Sequence, residues 1–181
     1  KLKCTNKTPF ANCIIGYYES EITGCGRNEK SVGVGIGLID YVQSERMIGW
    51  ATSSWAMHSN NMGKFGSSAY KGHLVVGTII GCGLATKVIE ELPGKRVELY
   101  AFWTIDGDLK HVELIDRSCT VDMIKSLRPT VSIRTVGDKL RLNFGLGKPF
   151  LFDVRKNYNE GTILKQSTPF ACLFKGKEIV L

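Results

Sequence analysis

The sequence predicts an all-β fold, a sandwich of two antiparallel sheets, on three observations. Short apolar runs recur about every ten residues with Gly, Pro or Asp punctuation between them. Within the runs apolar and polar residues alternate with a period of two, the pattern of half-buried strands. No stretch carries a convincing amphipathic helical period. At 181 residues, with 43% hydrophobic content and 20 glycines, the chain is long enough to bury one core without metal or disulfide staples.

Taken in order, Ile14 to Thr23 reads as the first strand, with Tyr18, Ser20 and Ile22 opposed by Tyr17, Glu19 and Glu21. Ser31 to Ile39 follows, with Val32, Val34, Ile36 and Leu38 on one face and Gly33, Gly35 and Gly37 on the other. A face without side chains lets something pack close to the backbone, most simply another sheet or a bulky aromatic. Trp50 and Trp55, in the stretch from Gly49 to Ser59, suit core and rim packing. Asn60 to Gly72 has the composition of a surface loop. Val75 to Leu84 is the most apolar run and is predicted as a central strand entered at Gly77. A Pro-Gly turn within Glu90 to Arg96 leads to a strand at Glu98 to Ile105. Asp106-Gly107 closes a hairpin onto Leu109 to Leu114.

Leu127 to Val154 anchors the organisation. Val131 and Ile133 alternate with Ser132 and Arg134, then Leu140, Leu142 and Phe144 alternate with Lys139, Arg141 and Asn143. Gly137-Asp138 lies between the two runs, which are expected to fold back on each other as an antiparallel pair. Pro129 and Pro149 bracket the unit. Pro169 to Phe174 forms a late apolar run.

Composition narrows the function. The formal net charge of +7 suits nucleic acid or an acidic partner, but the basic residues are dispersed and no stacked-aromatic RNA signature accompanies them, so no nucleic-acid role is expected. No apolar stretch approaches the roughly 20 residues that span a bilayer, and no membrane role is expected. Cys4, Cys13, Cys25, Cys82, Cys119 and Cys172 show no metal spacing and no dense extracellular framework, which favours thiols in a reducing compartment. Asn6-Lys7-Thr8 is one glycosylation sequon. A start at Lys1, without Met or apolar leader, is expected of an excised or processed piece and leaves targeting illegible at that end.

An enzyme would need a nucleophile with its base, a carboxylate pair or a metal cluster. Ser67 and Ser68 lack a nucleophile elbow, His58, His73 and His111 are isolated in sequence, and Glu90, Glu91 and Asp106 read as turn acids. No catalytic residue, metal ligand or cofactor is therefore expected. A carbohydrate-binding, lectin-like sandwich is the alternative of another class, with a nucleic-acid-binding domain ranked behind it.

The order of the motifs adds a family. Gly16-Tyr17-Tyr18-Glu19, the Gly-rich strand, Gly49-Trp50, the aromatic stretch Ser53 to Ser59, the run ending Ile80-Gly81-Cys82-Gly83, the Asp106-Gly107 hairpin, Leu127 to Ile133 and Asn143 to Val154 resemble a SPRY domain. The likeness is greatest to the Ran-binding protein M group, including secreted SPRY effectors of plant-parasitic nematodes. The sequence departs from those relatives at Ser54 to Ser59, at Asp106-Gly107, and in a loop at Ile89 to Arg96 that looks longer.

The resemblance implies a bent two-sheet sandwich over residues 9–158. Residues 1–8 would be an N-terminal tail and 159–181 an extension able to add an edge strand. It further implies a non-catalytic protein-interaction module, an adaptor or scaffold in cytoplasm or nucleus, or alternatively an effector secreted into a host cell. By position, the family's peptide-holding loops fall on Pro9-Phe10-Ala11, the loop ending at Met47, and Thr135-Val136-Gly137. The family's aromatic at the last loop is Val136 here, so the same peptide motif need not be read. Arg134 and Lys139 flank that tip and would steer an acidic partner segment.

Overall fold

A computed structural model describes residues 13–26, 32–38, 47–50, 53–59, 74–91 and 94–154. Eight strands and one short helix follow in order: β1 Cys13–Gly24, β2 Val32–Leu38, β3 Ser54–His58, β4 Ile79–Glu91, β5 Gly94–Ile105, β6 Asp108–Asp116, α1 Val121–Ser126, β7 Leu127–Ile133 and β8 Lys139–Asn143. They form two antiparallel sheets, a large one ordered β6-β5-β4-β1-β8 and a small one ordered β3-β2-β7. The all-β sandwich is thus the fold observed, and β4 is a central strand. The expected tail, loop 60–72 and C-terminal extension lie outside the described residues.

The core lies between the sheets. Tyr18, Ile22, Ile80, Cys82, Leu84, Leu99, Trp103 and Leu140 of the large sheet meet Val32, Val34, Ile36, Met57 and Leu127 of the small one. Two aromatic residues of the large sheet carry a polar handle across the core, where an unmet hydrogen bond would be costly. The Tyr18 hydroxyl takes the Gly35 N–H at 3.1 Å and reaches the carbonyls of Gly35 at 2.7 Å and Thr130 at 3.0 Å. Trp103 Nε1 donates to the Val34 carbonyl at 2.9 Å. Both contacts end on β2 or its partner β7, so the middle of the small sheet is fastened to the large one.

The two runs expected to pair as a hairpin do not pair. β7 pairs with β2 in the small sheet, while β8 pairs with β1 in the large one. The reversal between them crosses from sheet to sheet. Alternation records that a strand has one buried face; it does not record its neighbour, and strands of two facing sheets carry the same pattern. Pro129 lies inside β7, opposite Ile36. It is tolerated there because, among the described strands, β7 lies at the edge of the small sheet.

Other boundaries also shift. Val75 to Thr78 is a turn, with Gly77 at φ +95° and the Thr78 N–H bonded to the Val75 carbonyl at 3.0 Å. β4 begins only at Ile79. The apparently longer loop at Ile89 to Arg96 is mostly ladder, since Ile89 pairs with Arg96 and Glu91 with Gly94. The second hairpin forms as expected, with Asp106 at φ 49° and Gly107 at φ 84° joining β5 to β6. Positive φ at both central residues makes it a type I′ turn.

Among the described residues, the groups nearest the β2 glycines are Ser132, Ile48, Trp55, Ala56 and His58, from a loop and the two neighbouring strands and not from a facing sheet. Residues Ile48 and Gly49 lie on the glycine face: a Cβ at Gly33 would meet Ile48 Cγ2 at 2.8 Å, and Gly49, at φ +87°, approaches the Ala56 backbone. On the outer face of the large sheet the glycines serve rings instead. Gly81 and Gly83 leave room for Tyr17 and Phe102, which stack with centroids 5.7 Å apart. Phe150 and Phe152, from the segment after β8, close over Tyr17 at 4.9 and 5.3 Å.

Candidate partner-binding site

The reversal between β7 and β8 projects from the sandwich. Val136 at its apex is 98% exposed, an apolar side chain placed where burial contributes nothing to stability. The turn is closed by the Asp138 N–H on the Thr135 carbonyl at 3.1 Å, with Gly137 at φ +98°. It is buttressed from below by the end of β1. Asp138 turns inward, and its Oδ1 accepts the Gly26 N–H at 2.6 Å. Any Cβ at Gly26 would collide with Thr135 and the Val136 carbonyl. Close packing of this kind holds the apex in one shape before any partner arrives, which lowers the ordering cost of binding.

Inward rotation of Asp138 also sets the charge. With that carboxylate buried, the exposed ionic groups flanking Val136 are Arg134 and Lys139, both cationic. Thr135 is half-buried and Gly137 exposed. These five residues lie together on the turn. Pro9, Phe10 and Ala11 lie outside the described residues. Met47 is only 6% exposed, so its side chain belongs to the fold and is not an anchor on the surface.

A residue read only as packing stands out instead. Trp50 is 37% exposed and its ring lies 5.7 Å from that of His58. Register places it toward the same end as the turn: Gly33 pairs with His58 on one side and Ser132 on the other, and the next pair, Val32 with Ile133, immediately precedes Arg134. The Gly49-Trp50 pair was the available signal, but a tryptophan in sequence does not declare which of its faces is wet.

The two described histidines, His58 and His111, do not assemble a reactive group. His58 is buried, with Nε2 2.7 Å from the Ile48 carbonyl. A carbonyl only accepts, so the ring proton sits on Nε2 and Nδ1 keeps a lone pair, which has no hydrogen-bond partner. Burial holds the His58 pKa below its ordinary value, more than the Ile48 carbonyl raises it. His111 lies on β6 against Trp103, with ring centroids 5.6 Å apart. His73 is outside the described residues. Among the described residues no three His, Cys, Asp or Glu side chains form a metal-holding group, and no helix is long and apolar enough to cross a membrane. Cys25, Cys82 and Cys119 are free thiols.

A family model described as the SPRY domain matches residues 15–147. The chain belongs to the SPRY domain family. SPRY relatives include Ran-binding protein 10 of Danio rerio, 28% identical over 163 residues that cover 88% of this chain and 24% of that protein. Human Ran-binding protein 9 is 27% identical over 163 residues, covering 88% and 20%. The Ran-binding proteins 9/10 homolog of Drosophila melanogaster is 29% identical over 149 residues, covering 79% and 13%. The chain thus spans a quarter or less of the length of these relatives. Among solved structures, a human SPRY domain superposes with TM-score 0.56 at 20% identity, covering 74% of this chain and 78% of that one. The likeness to the Ran-binding protein M group therefore holds, and SPRY membership places the chain in a family of protein-interaction modules.

Proposed function

We propose that this SPRY domain is a non-catalytic module that binds a short segment of a partner protein through loops at one end of the sandwich. The observation that carries this reading is Val136, 98% exposed on a turn locked from beneath by Gly26 and Asp138. A rigid scaffold presenting an apolar side chain among backbone N–H and C=O groups suits recognition of a peptide. Thr135, Val136 and Gly137 form the contact, Arg134 and Lys139 steer an acidic segment toward it, and Pro9-Phe10-Ala11 and the loop ending at Met47 extend it. The module acts as an adaptor or scaffold in cytoplasm or nucleus, or as a host-targeting effector if secreted.

The test is affinity purification with the native chain and a Val136→Asp variant. Loss of partners by a variant with an unchanged melting temperature supports the turn as the site. Retention of every partner would move the site elsewhere, with residues 60–72 the next place to mutate. Turnover of a substrate by the purified chain, abolished by a single His or Ser substitution, would overturn the non-catalytic reading.

A further inference from the structure

Val75 and Val76 belong to the most apolar run of the sequence, yet the structure sets them on a surface turn, 55% and 53% exposed. Leu74 beside them is buried in the core, and neither valine is among the residues packed against that core. The turn is nevertheless held in one shape. The Thr78 N–H closes it onto the Val75 carbonyl at 3.0 Å, and the Val75 N–H returns to Thr78 Oγ1 at 3.2 Å. Ile22 of β1 donates to the Thr78 carbonyl at 2.9 Å and accepts the Gly77 N–H at 2.8 Å. β-Branched side chains are stiff at χ1, so two of them on a pinned turn make a preshaped apolar surface.

The same end of β1 braces the Val136 turn, through Gly26 and Asp138. β1 lies between β4 and β8 in its sheet, with Ile79 at the entry to β4 opposite Glu21 and Lys139 at the entry to β8 opposite Gly24. The two turns, each feeding one of those strands, therefore stand side by side at one end of the sandwich, two strand spacings or about 10 Å apart. A polyproline II segment rises about 3.1 Å per residue with three residues per turn, so its side chains at i and i+3 point the same way about 9 Å apart. In a β-strand those two side chains point to opposite faces, and residues i and i+2 are only about 7 Å apart.

Charge sets the direction of such a segment. Arg134 and Lys139 beside Val136 have no ion-pair partner among the described residues. On the far side of the Val75–Val76 turn, the β5–β6 hairpin carries Asp106, whose Oδ1 takes the Ile79 N–H at 2.9 Å, and Asp108, paired with Lys110 at 3.3 Å. An acidic residue of the segment is favoured beside Val136 and disfavoured beside Asp106.

Granted the Val136 turn as the site, we propose that the Val75–Val76 turn is its second apolar contact, and that the occupant is a polyproline II segment of a partner protein. The segment carries aliphatic side chains at i and i+3, one on Val136 and the other on Val75 and Val76, with an acidic residue next to the one on Val136.

The test is an amide-resolved NMR titration of the full chain with acetyl-Asp-Leu-Pro-Pro-Leu-amide, in which the two Leu stand at i and i+3. Expected are saturable shifts at Val75, Val76 and Val136. Replacing the second Leu by Ser, deleting one Pro, or making the exposed substitution Val76→Ser in the protein should each weaken binding about fivefold or more. Equal binding of the three peptides, shifts confined to the Val136 turn, or no saturable shift up to about 5 mM peptide would overturn the proposal. Affinity purification separates it from the Val136 reading. A Val75→Ser, Val76→Ser double variant with an unchanged melting temperature should lose the partners that Val136→Asp loses; if it kept them all, the second contact would fall while the first stood.

Discussion

A Cβ at Gly35 would run into the Trp55 carbonyl oxygen and the Ala56 backbone, so the position admits only hydrogen. Backbone is the obstacle, and backbone cannot swing aside as the end of a flexible side chain can. Gly35→Val is therefore expected to destabilise the chain toward the upper part of the ~1–3 kcal/mol typical of overpacking, measured as a lowered midpoint in urea. An unchanged midpoint would show the face to be open. His58 yields a prediction of another kind. Its pKa in the folded state lies below the ordinary value of 6.5 because burial disfavours the imidazolium. The unfolded chain thus takes up the proton first as pH falls, and stability, full above about pH 6.5, declines below it. Unfolding free energy measured from pH 7 to pH 5 should fall more steeply in the native chain than in a His58→Gln variant. Parallel pH profiles would show that His58 protonates without penalty.

Strands were legible because each shows the solvent one face and the core another; the partners of β5 and β6 were legible from the tight turn between them, but those of β7 and β8 were not, because that information lies in the opposite sheet. Leu140, Leu142 and Phe144 are buried as their alternation indicates, yet β8 belongs to the large sheet and β7 to the small one. The stretch that forms α1 was too short to type from sequence: its six residues cannot establish a period, and its start is marked by the Thr120 cap on the Met123 N–H and by Asp122 in the first turn. At the candidate site, Val136 could be singled out because an apolar residue at a reversal has no local reason to be there. The burial of Met47 and the inward rotation of Asp138 could not, since both depend on what packs against them. Two element-level predictions follow from the facing sheets. Leu142→Asp, which puts a carboxylate on the inner face of β8, should abolish cooperative unfolding, because an unpaired buried charge has no partner in the core. Tyr18→Phe, which leaves the Gly35 N–H without its acceptor, should cost about 1–3 kcal/mol in the same urea experiment. Wild-type stability in Tyr18→Phe would mean that the hydroxyl does not fasten the small sheet.

Across the whole molecule the excess of positive charge, +7, is spread thinly, and its local expression is more informative than its total. At the turn two cations flank an apolar apex while Asp138, between them in sequence, is directed inward to Gly26. Exposed charges of this sort act at a distance on the approach of a partner and contribute little once contact has excluded water, so they should govern association more than dissociation. With an acidic partner segment recovered by affinity purification, raising salt from about 50 to 500 mM should slow association several-fold while changing the dissociation rate less than about twofold, since the screening length shrinks across that range. The Arg134→Ala, Lys139→Ala double variant should start near the slow, high-salt association rate and lose most of its salt dependence. Val136→Asp should instead raise the dissociation rate, because it removes an apolar contact at the centre of the interface. If salt acted mainly on dissociation, or if the double variant kept the native salt dependence, the two cations would not be steering the partner and the acidic character assigned to its segment would fall with them.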